Sequence, residues 1–190
     1  MTPHDRTWST LSMDPARARS LSQLITRSMN IQNHGSWESL DYDALRGWAG
    51  ELLARLVSAI GSEDPLYISG WAEDDDRIEG AVAIFTPTRL IRARFDVASE
   101  VGRGLLNAEV NVISRRRIRM SSVLKAGSLP DSPTGAWPTR ASVSLTLKDE
   151  DDALVLPLTK RTPFPDLATA AYVSNFLGED HSSAPLRVDE

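Results

Sequence analysis

Ala81-Val82-Ala83-Ile84-Phe85-Thr86-Pro87-Thr88-Arg89-Leu90-Ile91-Arg92-Ala93-Arg94-Phe95 decides the fold. An apolar run of strand length meets Thr-Pro-Thr, in which proline presets the backbone for a tight turn. The chain then returns with a period of two. Ile91, Ala93 and Phe95 leave one face, and Leu90, Arg92 and Arg94 leave the other. That alternation excludes a helix here and predicts an antiparallel hairpin.

Working outward, the same period recurs on both sides. Leu66 to Trp71 reads as a strand, and Glu73 to Asp76 as a charged turn. Downstream, Asp96 to Gly104 reads as a polar, glycine-containing connection, and Val110 to Ile113 as a short strand. Ile118 to Leu124 reads as another strand. Residues 126–138, rich in Gly, Ser and Pro, form the longest expected loop. Val143, Leu145 and Leu147 alternate with polar residues. The acidic stretch Asp149 to Asp152 reads as a hairpin tip, and Leu154, Leu156 and Leu158 alternate on the way back.

Helical spacing appears only outside this block. Asp14-Pro15 reads as an N-cap followed by proline at the first helical position, opening a helix over 15–29. A second helix is predicted over 41–60. Its stripe is Leu45, Trp48, Ala49, Leu52, Leu56 and Ile60, its cap Ser39 or Asp41, and its stop Gly61. The stripe must be covered by the strands or by a second copy of the chain, which keeps a homodimer open. Pro163 and Pro165 break the sheet pattern and introduce a last helix over 166–177. The class is therefore α+β: N-terminal helices, then a small antiparallel barrel or sandwich of six to seven strands, capped by a C-terminal helix. The division is a helical extension at 1–62, a domain at 63–178 and a polar tail at 179–190.

Composition narrows the function. The chain has 190 residues and no cysteine, so thiolate metal sites, disulfides and cysteine nucleophiles are excluded. A cysteine-free chain without a signal-like apolar start is expected in the cytoplasm, and no apolar run is long enough to span a bilayer. The net charge of −5 argues against nucleic acid as a partner. Yet residues 89–125 hold eight Arg and one Lys against Asp96, Glu100 and Glu109, a basic block inside an acidic chain. Arg115-Arg116-Arg117 with Arg119 is its densest part. Arg117 and Arg119, two apart in an expected strand, share a face, as do Arg92 and Arg94. These four are the candidate ligand-binding residues, because guanidinium forks match phosphate and carboxylate. Solvated strand-edge arginines are the competing reading. No His or carboxylate set has zinc spacing, no loop carries a full phosphate-binding pattern, and no nucleophile has a base to name. No catalytic residue, metal or cofactor is assigned, and the chain is not expected to be an enzyme.

Three segments carry a family likeness. Residues 83–91 (Ala-Ile-Phe-Thr-Pro-Thr-Arg-Leu-Ile) resemble the apolar strand, short turn and "R-L" return strand of bacterial pleckstrin-homology-like domains. Residues 113–123 (Ile-Ser-Arg-Arg-Arg-Ile-Arg-Met-Ser-Ser-Val) are similar to that family's "I-P-L-S-R-I-x-x-V" segment. The hairpin at 143–158 and the helix at 166–177 then match its last two strands and capping helix. The likeness covers residues 66–177. The loop at 126–138 and the two N-terminal helices go beyond the minimal fold. It implies a non-enzymatic binding or interaction module, whose partner is a protein or an anionic small ligand such as an inositol-phosphate headgroup or phosphopeptide. A small-molecule or enzymatic pocket between helices and barrel is the other alternative, because fold alone does not choose among them.

Overall fold

The computed structural model describes residues 13–32, 47–74, 78–100, 103–126, 141–148 and 153–159, together with Thr169. Among these residues two helices and seven strands are defined. The helices come first, α1 (Pro15–Gln32) and α2 (Trp48–Ile60). Seven strands follow: β1 (Tyr67–Asp74), β2 (Ile78–Phe85), β3 (Arg89–Glu100), β4 (Arg103–Ser114), β5 (Ile118–Ala126), β6 (Ala141–Leu147) and β7 (Ala153–Leu156). A 3-10 turn, Arg115–Arg117, joins β4 to β5.

The expected α+β class is present, but not a closed barrel. The strands form two separate antiparallel sheets, β1-β2-β3-β4 and β5-β6-β7. The four-stranded sheet is covered on both faces. Ile68, Val82, Ile84, Ile91, Phe95 and Val97 share one core with Leu21 and Ile25 of α1 and the buried face of α2. Tyr67, Ala83, Phe85, Leu90 and Ile113 point the other way and meet Val143, Leu145, Leu147, Leu154 and Leu156 of the second sheet. Two-sided burial explains why 82–85 reads as an unbroken apolar run. It also answers the question of what covers the stripe of α2: the chain's own sheet does. Fully burying one such large apolar side chain contributes about 1.5–3 kcal/mol.

Local chemistry sets the element ends. The Asp14 carboxylate accepts from the amide of Ala16 at 3.1 Å, so the expected cap of α1 is in place. Gly61 ends α2 at φ 67°, a conformation that favours glycine, and its amide donates to the Val57 carbonyl. Described α2 starts at Trp48 after Gly47, and its expected first turn, with Ser39, Asp41 and Leu45, lies outside the described residues. Trp48 stacks on Phe95 with ring centroids 5.8 Å apart. Phe95 in turn lies over Gly80, where the carbonyl oxygen of Trp71 is 2.5 Å from the position a Cβ would take.

Some strand readings need correction. Asp96 to Gly104 is not a connection but the paired end of the β3–β4 hairpin, and β4 runs well beyond 110–113 at its N-terminal end. Leu158 lies past the end of β7. Val123, matched to a family position, is 52% exposed, whereas Ile118 does pack against the second core. Glu73 and Asp74, expected in a turn, are paired with Glu79 and Ile78 at the end of β1. The loop at 126–138 beyond Ala126, the rest of that turn, the acidic stretch Asp149 to Asp152, the tail and the three His lie outside the described residues. So does the helix expected at 166–177, except Thr169, which is helical and buried. No described helix is long and apolar enough to cross a membrane.

Candidate anion-binding groove

Antiparallel register sorts the inner face of the four-stranded sheet into rows. Tyr67, Phe85, Leu90 and Ile113 form the first, and all are buried beneath the second sheet. Ser69, Ala83, Arg92 and Asn111 form the next. Trp71, Ala81, Arg94 and Glu109 form the third. Leu90 gives way to Arg92 and Arg94 along β3 where this face lines an open groove instead of the second core.

A groove of about 680 Å³ opens there between the sheets. Arg92, Arg94, Glu109 and Asn111 line it from the first sheet, with Trp71 and Ala81 beside them. Arg117, Leu154, Leu158 and Thr159 line the opposing side. The Asn111 amide donates to Glu109 at 2.9 Å and fixes that carboxylate. One guanidinium nitrogen of Arg117 donates to the Lys148 carbonyl at 2.9 Å, and the Lys148 amide donates back to the Arg117 carbonyl at 2.6 Å. These bonds pin the 3-10 turn to the end of β6. Among the described lining residues three arginines stand against one carboxylate, a net cationic set. An Arg fork offers planar, charged donors whose match is an oxyanion.

The four residues expected from sequence therefore part company. Arg92, Arg94 and Arg117 come together from two separate elements. Arg117 is not in a strand with Arg119, contrary to the expectation from sequence: it belongs to the 3-10 turn, and β5 begins at Ile118. The side chain of Arg119 lies outside the described residues. Arg115 serves the fold: it donates to the carbonyls of Thr86 at 3.0 Å and Pro87 at 2.6 Å. Arg89 pairs with Glu63 at 3.2 Å. Sequence reading missed Glu109 and Asn111, and did not place Trp71 beside the arginines. Extending the two-residue period through all of β4 would have put Glu109 and Asn111 on the arginine face.

Comparison with family models, with curated proteins and with solved structures gives no match to this chain.

Proposed function

We propose that the chain is a non-enzymatic binding module of the pleckstrin-homology-like kind, and that its ligand is an anion seated in the groove between the two sheets. The convergence of Arg92, Arg94 and Arg117 carries this reading. Four strands followed in sequence order by three, with a buried helical residue at Thr169 bonded to β1, support the fold assignment. The cysteine-free sequence supports a cytoplasmic setting.

A charge-assisted hydrogen bond contributes about 1.5–3 kcal/mol when shielded from water, and less when exposed. Arg92 and Arg117 are half-buried and Arg94 is exposed, so the first two dominate. Titration with inorganic phosphate and inositol phosphates, at low and at physiological salt, tests the proposal. Saturable binding that weakens as salt rises is expected. Arg92→Ala with Arg117→Ala should weaken it at least about tenfold with the circular dichroism spectrum unchanged. No saturable binding at low salt would overturn the reading.

A further inference from the structure

We infer that the groove selects an anion carried on an aromatic body; this rests on the anion reading above and adds the ligand's second half. The groove is divided lengthwise by chemistry. Trp71 on β1, Ala81 on β2 and Leu158 after β7 make one side apolar, while Arg92 and Arg94 on β3 make the other cationic. The division is built into the fold. The Leu158 amide donates to the Ser69 hydroxyl at 2.8 Å, and Ser69 is two residues before Trp71 on the same strand face. That bond holds the segment after β7 against β1, so Leu158 joins Trp71 on the apolar side.

Register gives the spacing. Trp71, Ala81 and Arg94 are consecutive partners across three strands. Neighbouring strands lie about 4.8 Å apart, so the Trp71 and Arg94 backbones are about 9–10 Å apart. Only the methyl group of Ala81 stands between them in this row. A flat ring laid over that methyl meets the indole on one side and presents its anionic substituent to the guanidinium groups on the other. A bare oxyanion uses only the cationic side. An aromatic anion covers both sides, and aromatic contacts prefer the offset or edge-on arrangements that a shallow slot allows.

The probes are 1-naphthyl phosphate and inorganic phosphate, titrated calorimetrically into the full chain. The wild type is expected to bind naphthyl phosphate about tenfold tighter than inorganic phosphate. In Trp71→Ala that ratio should fall close to one. Leu158→Ser, on the same side of the groove, should lower it too, and it serves if the Trp71 variant does not fold. Arg92→Ala with Arg94→Ala should weaken both probes. Equal affinity of the wild type for the two probes would overturn this inference and leave the anion reading standing. A ratio that survives in Trp71→Ala and Leu158→Ser would do the same. Naphthyl phosphate binding indifferent to the arginine changes would also overturn it, and failure of both probes to bind would remove both readings.

Discussion

The Thr88 hydroxyl donates to the Glu63 carboxylate at 2.7 Å, joining the segment after α2 to the turn between β2 and β3. The Thr88 amide donates to the second carboxylate oxygen at 3.0 Å, and Arg89 pairs with the first at 3.2 Å. Arg17 reaches the same segment from α1, donating to the Glu63 carbonyl at 2.8 Å and to Asp64 at 3.0 Å. One short linker thus ties both helices to the hairpin that organises the sheet.

Glu63 makes stability depend on pH. Bonds from the hydroxyls of Thr88 and Thr86, with the nearby Arg89 charge, hold its pKa below the ordinary 4.5. A carboxylate depressed in the folded state binds its proton more readily when unfolded. Its contribution is therefore complete above the unfolded value and is lost as pH falls through the folded one. Urea unfolding of wild type and Glu63→Gln across this range checks it. The two midpoints should differ at neutral pH and converge on acidification. A constant gap would show that the charge is not the source.

The helices are expected to be integral to stability. Leu52 is 1% exposed in the core shared by α1, α2 and the four-stranded sheet. Leu52→Ala removes buried methyl groups and leaves a cavity, at a cost of about 2–5 kcal/mol. Denaturant unfolding followed by tryptophan fluorescence measures this. An unchanged midpoint would mean that α2 is not part of the cooperative unit.

Legibility followed burial. The hairpin around Thr86-Pro87-Thr88 was readable because Ile91, Ala93 and Phe95 all enter one core while the proline fixes the turn. The far end of β3–β4 was not. Asp96, Ser99, Glu100 and Gly104 look like a loop by composition, yet they pair across the ladder. The Asn107 amide donates to Asp96 at 2.9 Å, a cross-strand contact that no single segment announces. The groove was half readable. Alternation put Arg92 and Arg94 on one face, but bringing Arg117 opposite them depends on how the second sheet crosses the first. Local periodicity holds no information on that crossing. The 3-10 turn at Arg115–Arg117 was hidden for a similar reason. Arg115 is held there by carbonyls of the distant Thr86 and Pro87.

Gly80 is expected to resist any side chain. The Phe95 ring and the Trp71 carbonyl oxygen occupy the space its Cβ would need. Gly80→Ala should cost about 1–3 kcal/mol through overpacking. The ring is the flexible half of the obstruction, so Phe95→Leu in the same chain should recover part of the loss. Thermal melts of the two single variants and the double variant give the coupling. Strict additivity would mean that the ring is not what excludes the methyl group.

The hydroxyls of Tyr67 and Thr169 are 2.7 Å apart in a buried site. Tyr67 starts β1 and belongs to the core between the sheets, while Thr169 lies over a hundred residues later and is fully buried. A bond across such a separation forms only when both ends are held by the same folded unit. Tyr67→Phe keeps the ring and its packing against Phe85 and deletes only the hydroxyl. The expected cost is about 1–3 kcal/mol, because the remaining hydroxyl loses this bond where water is excluded. Thr169→Val should cost a similar amount. Together the two changes should cost less than their sum, since an apolar pair in the same space has nothing left to satisfy. Ending the chain after Lys160 removes Thr169 outright and should lower the unfolding midpoint at least as far as Tyr67→Phe does. Should the truncated chain unfold at the same denaturant concentration as the full one, the Tyr67–Thr169 bond contributes nothing to the sandwich.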